Sequence, residues 1–271
     1  LMEDNTVTKA QSIDVTGYQS DVQVTGGLQV AAGNQGTAVG ASVAVASLNN
    51  TINAGIKGTG KNGLAYTDVG NVEVHALSAL TAVTAAVSAG ATKTSKSDGT
   101  SVNIQGAGVY NSVNNTANAY IDGANIATTA AGSVRVRAMD TNKQDAAVYQ
   151  ELLTRGASDK AAELARTSSI IDTKGNSYYD GLDTAMTDDG SGDGTLDLDT
   201  IGKNGSTIVT AAAGVAVTNG DAAVGASVAI SDIDNKFTAK ITDSEITAAD
   251  VEAQANSDTL LVGVAGGVGV G

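Results

Sequence analysis

The sequence predicts an all-β protein, a parallel β-solenoid interrupted once by a partly helical, acidic insertion. Three observations predict it: ungapped internal repeats, a period of two inside each repeat, and a composition suited to stacked strands. Gly40–Ile56, Gln105–Ile121 and Gly225–Ile241 align without gaps at offsets of 65 and 185. Self-similarity of this kind is the signature of an architecture in which each unit buries its face only against its neighbours. Pro is absent, Gly numbers 33 and aromatics make up 3%. Such a chain favours long ladders and close backbone approach over a core of large side chains.

In chain order, Ser12-Ile13-Asp14-Val15 reads as the tail strand of a preceding unit. The first complete unit runs through Val39-Gly40-Ala41-Ser42-Val43, then Leu48-Asn49-Asn50, and ends in Val72-Glu73-Val74-His75. The second ends in Val134-Arg135-Val136-Arg137 and the third in Val251-Glu252-Ala253-Gln254. Val268-Gly269-Val270-Gly271 reads as the start of a further unit, so the chain is expected to be cut from a longer array. Alternation places Val43, Val45, Val228 and Ile230 inward, with a three-residue step to Leu48 and Ile233. On that reading Val228→Asp costs several kcal/mol, because it buries an unpaired charge. Strands of about five residues with turns between them imply coils of roughly 20 to 25 residues, about ten of them, in a rod near 50 Å long. An antiparallel β-sandwich is the competing architecture, and it would want aromatic core residues.

The matching positions of the second and third units lie 120 apart rather than 65, which isolates the insertion. The domain reading is therefore 1–138 solenoid, 139–205 insertion protruding from it, and 206–271 solenoid again. Val148, Leu152, Leu153, Leu164 and Ala165 recur at helical spacing around Gly156, predicting a short helical hairpin. Asp172–Asp199 carries eight Asp against one Lys and predicts an acidic loop.

Fifteen basic against 29 acidic residues give a net charge of −14. A surface of that sign repels phosphate backbones and anionic lipid headgroups, so nucleic acid and membrane docking are not expected partners. Cys is absent, which excludes a disulfide framework, a thiolate metal site and a thiol nucleophile. The first residues show no basic segment or apolar run of a leader. The uncharged stretches alternate like strands, so insertion of this segment into a membrane by a helix is not expected.

Few residues offer chemistry. His75, the only histidine, reads as a solvated strand residue, and no nucleophile elbow accompanies it. Arg135 and Arg137 read as partners of acidic neighbours on a solvated face. Gly263–Gly271 lacks the Lys-Ser/Thr of a phosphate loop. Asn50, Asn115 and Asn235 recur at one position and read as left-handed corner residues. Asn49 and Asn114 open Asn-x-Thr triplets, a pattern common by chance in an Asn/Thr-rich chain. The exception is 189–200, where Asp189, Ser191, Asp193 and Asp197 stand at positions 1, 3, 5 and 9 of a twelve-residue window. Gly194 falls at 6 and Thr195 at 7. That spacing suits hard oxygen ligands around Ca²⁺, with Asp189, Ser191, Asp193, Thr195 and Asp197 as ligands. Thr200 in place of a bidentate Glu makes the expected binding weak, and a solvated acidic loop is the alternative. No catalytic residue or other cofactor is expected.

The units Val-Gly-Ala-Ser-Val-Ala-Val…Leu-Asn-Asn-Thr…Ala-x-Ile followed by Gly-Asn-Val-Glu-Val, at 39–74, 104–136 and 224–253, resemble the repeats of leukotoxin-type filamentous adhesins. These are large exoproteins of Gram-negative anaerobes, similar in style to filamentous haemagglutinins. The resemblance implies a right-handed parallel β-helix, export to the cell surface, and attachment to a host or bacterial receptor or glycan. It carries no catalytic residues. The expectation is therefore a non-enzymatic adhesive stalk, with end-to-end self-association through open strand edges as a further contact. The alternative is a β-helical polysaccharide-binding or polysaccharide-cleaving protein, which needs clustered acidic or basic residues on one face.

Overall fold

The computed structural model describes residues 1–33, 36–58, 65–93, 100–140, 206–257 and 259–271. Among these, every regular element is a β-strand and every strand pairing is parallel, which excludes the antiparallel sandwich. The strands are β1 (Met2–Glu3), β2 (Ala10–Gly33), β3 (Thr37–Lys57), β4 (Ala65–Thr92), β5 (Val102–Asp122) and β6 (Asn125–Thr128). They continue as β7 (Ser133–Asp140), β8 (Ser206–Thr218), β9 (Ala222–Thr242), β10 (Glu245–Thr247), β11 (Asp250–Asn256) and β12 (Thr259–Val270).

The chain alternates between two sheets. The first has the order β1-β3-β5-β9. In the second, β4 is flanked by β2 on one side and by β6, β7 and β8 end to end on the other. Strands β10, β11 and β12 add to β6, β7 and β8 in turn. Each pass through both sheets thus deposits one more layer.

The sequence repeats are the registers of this stack. Gly40 pairs with Gln105 and Gln105 with Gly225, which are the offsets read from the sequence. Ser12, Ile13, Asp14 and Val15 pair with Asn71, Val72, Glu73 and Val74, as their reading as a tail strand required. Leu48, Val113 and Ile233 stack and face inward against Leu80, Ala82 and Ile208.

Four expectations are corrected. A layer takes 65 residues rather than 20 to 25, because the chain runs straight through the Asn and Gly positions read as turns. A 21-residue strand such as β5 spans roughly 70 Å. Second, Asn50, Asn115 and Asn235 stack in mid-strand and face inward. Left-handed backbone falls instead at Asp4, Gly36, Asp68, Gly123 and Asp243, at φ of 48°, 90°, 54°, 68° and 47°. Third, Val268–Val270 completes a strand of the second sheet, paired with 215–217, and does not open a new unit. Fourth, Val43 and Val228 do share a face, with Gly108 between them, but that face is outward: Val43 is 70% exposed and Ala44 beside it 3%.

The sidedness follows from how closely the sheets approach. At one end a full aliphatic core holds them apart, with Ile13, Ile52, Ile56, Tyr66, Ile121 and Ile126 among its members. At the other end the inward positions are mostly Gly, Ala, Ser, Thr, Gln and Asn, with Val109 enclosed among Ala44, Ala86 and Ala212. A Cβ added to Gly225 would strike the carbonyl oxygens of Gly214 and Val268, so backbone meets backbone there. Most of the valines at that end stand on the outward face instead.

Strand β7 ends at Asp140 and β8 resumes at Ser206, in register against the same strand β4. Met139 and Asp140, counted with the insertion from sequence, belong to β7. The expected hairpin and acidic loop fall within 141–205, outside the described residues.

Candidate functional site: a buried ion network on the second sheet

The register that stacks Val72, Val134 and Val251 places the next residues, Glu73, Arg135 and Glu252, in one column. Two positions further on, His75, Arg137 and Gln254 form a second column. In the first column Arg135 lies between the carboxylates of Glu73 and Glu252, a favourable cross-strand arrangement. The inward neighbours Val72, Val74, Val134 and Val136 anchor these strands in the aliphatic core.

Glu73 holds the centre. Its Oε2 lies 3.2 Å from His75 Nε2 and its Oε1 accepts from Arg135 Nη1 at 3.3 Å. Arg135 Nε lies 3.6 Å from Glu252 Oε2. Arg137 donates to Glu252 twice, Nε to Oε1 at 3.0 Å and Nη2 to Oε2 at 2.8 Å, the bidentate fork that makes Arg–carboxylate pairs strong. Glu73, His75 and Arg137 are 3%, 4% and 2% exposed. The expected pairing of the arginines with acidic neighbours is found. The expected solvated face is not, since both faces of β4 are buried from Val72 to Leu80.

A buried ion pair gains its Coulomb term only when the partners satisfy one another; the Arg137–Glu252 fork does so, while Arg135 Nε stays 3.6 Å from Glu252 Oε2, beyond hydrogen-bond distance. Both carboxylates are held by guanidinium groups, and the histidine shares one of them. The arrangement clamps neighbouring strands together.

A second polar system lies inside, between the sheets. Ser88 donates to Gln105 Oε1 at 2.8 Å, and Gln105 Nε2 to Asn103 Oδ1 at 2.8 Å. Ser101, Thr92 and Thr218 share hydroxyl hydrogen bonds of 2.9 to 3.0 Å. Sequence reading missed this interior, because it assigned the larger alternate residues to the inside.

The five residues expected to hold Ca²⁺, Asp189, Ser191, Asp193, Thr195 and Asp197, lie outside the described residues. Among the described residues no group of three or more His, Asp or Glu is arranged to hold a metal. Asn49 and Asn114 are exposed on the outer face of the first sheet. No helix among the described residues is long and apolar enough to cross a membrane. Glu73 and Glu252 were legible as partners of the arginines from the repeat alignment alone, which sets them one unit apart at the same position.

No family model, no curated protein and no solved structure matches the chain.

Proposed function

We propose that this chain is a stretch of stalk from a secreted bacterial surface adhesin. On this reading it is a right-handed parallel β-solenoid that displays a repeated polar face to a host or bacterial glycan or receptor. The observation that carries the reading is the identity of repeat and register: in the first sheet the sequence repeats pair with one another position by position, so the stack extends by adding units. Strand–crossover–strand connections between parallel strands are right-handed in nearly all cases, which supplies the hand. The outer face of the first sheet supports an adhesive role. There Asn49 and Asn114, then Thr51 and Thr116, then Asn53 and Asn118 form columns, and Asn118 Nδ2 donates to Asn53 Oδ1 at 3.0 Å. Repeated amides and hydroxyls at one spacing suit a repeating polymer of hydroxyl groups. Export to the cell surface is part of the proposal, as the resemblance implies.

The test is a glycan array read beside an assay for oligosaccharide cleavage, with the parent chain and an Asn53→Ala/Asn118→Ala double variant. Binding without turnover, weakened in the variant, is the expected result. Turnover of any bound glycan makes the chain an enzyme and ends the stalk reading.

A further inference from the structure

The outer face of the second sheet is apolar over an entire block. From Val24 to Ala32 on β2, and at the paired positions of β4, β8 and β12, there are twenty outward places, and each is Gly, Ala, Val or Leu. Leu28 is 77% exposed, and Val24, Val30, Val87 and Val268 are also exposed. Behind them the interior is small and polar, so this end of the molecule carries its aliphatic side chains outside. Contiguous exposed apolar surface of this extent marks a contact site.

We propose that a second copy of this chain docks face to face on this surface. Four strands about 4.8 Å apart and nine residues of about 3.3 Å give a footprint of about 19 by 30 Å. With the relief of its side chains, such a face approaches the roughly 800 Å² per partner of a standard interface. Packing of two sheets face to face is the ordinary way to bury a flat aliphatic surface. Charge permits the contact: the chain carries −14 in all, yet this block contains no charged residue, so two copies meet here without repulsion. A bilayer is the poorer occupant. The net charge of −14 disfavours approach to an anionic bilayer surface.

Sedimentation equilibrium of the whole chain from about 1 to 100 μM tests the proposal. The parent is expected to dimerise, and Leu28→Asp and Val87→Asp each to raise the dissociation constant by more than about 100-fold with unchanged circular dichroism. Val43→Asp, on the outer face of the other sheet, is expected to leave it within about threefold. A parent that stays monomeric throughout overturns the proposal, as does a dimer that Val43→Asp dissolves and the other two leave intact. Flotation of monomers with phosphatidylcholine vesicles assigns the face to lipid and overturns it equally.

Discussion

Two aspartate substitutions on neighbouring positions of the repeat separate the outward from the inward reading of the strands. Val43 is outward and 70% exposed; Val109, which pairs with Ala44, is inward and 3% exposed. Burying a valine side chain is worth about 1.5 to 3 kcal/mol, so the 30% of Val43 that is covered accounts for about 0.5 to 0.9 kcal/mol. Adding up to about 1 kcal/mol for the poorer strand propensity of Asp gives Val43→Asp a cost of about 1 to 2 kcal/mol. Val109→Asp loses the full burial term and also encloses a carboxyl among Ala44, Ala86 and Ala212, for a total of at least about 4 kcal/mol. The enclosed carboxyl stays protonated when folded, so its folded pKa lies above its unfolded value. Stability is then greatest below the unfolded pKa and falls as pH rises through the range between the two. Urea titrations followed by circular dichroism at about pH 4 and pH 7 measure both quantities. Equal losses for the two variants, or a larger loss for Val43→Asp, would refute the assignment of faces.

Three further substitutions probe other parts of the structure. Tyr66 is fully buried, its hydroxyl has no partner among the described residues, and burial raises its pKa above the usual 10.0. Stability is therefore present below pH 10 and lost as pH rises through the folded value, and Tyr66→Phe should flatten that alkaline loss without cost at neutral pH, read by thermal melts. Glu252→Gln removes the charge facing the bidentate fork of Arg137, and because Glu252 is about one-third exposed the loss should be nearer 2 than the 3 to 5 kcal/mol of a fully buried pair. Asn111 is fully buried with both amide atoms unpartnered among the described residues, so Asn111→Leu should be neutral or raise the melting temperature; a loss above about 2 kcal/mol would mean the amide is satisfied.

Stacking was legible in the sequence because each layer repeats the last, so an ungapped alignment of Gly40, Gln105 and Gly225 already names the hydrogen-bonded partners. Sidedness was not legible. A period of two yields two faces with the same rhythm, and assigning the larger residue inward fails where glycine lets the sheets touch, as at Gly225 and Gly214. Layer width was hidden for a related reason: Asn50 and Asn115 resemble turn residues, yet a stacked Asn can turn inward to a partner such as Ser78, which donates to Asn115 Oδ1 at 2.9 Å. The ion network was half legible. The repeat put Glu73 beside Arg135, but its burial depends on packing that no pattern of four residues encodes.

The central claim is parallel, in-register stacking of units 65 residues apart, and the absence of native Cys makes it directly testable by paired cysteines. Asn49 and Asn114 are exposed partners on adjacent strands, and Asp234 lies one strand beyond Asn114. Adjacent strands sit about 4.8 Å apart, within disulfide reach, and alternate strands about 10 Å apart, beyond it. Mild oxidation should close a disulfide in Asn49→Cys/Asn114→Cys and none in Asn49→Cys/Asp234→Cys. Cross-linking of the second pair, or of neither, would contradict the stack.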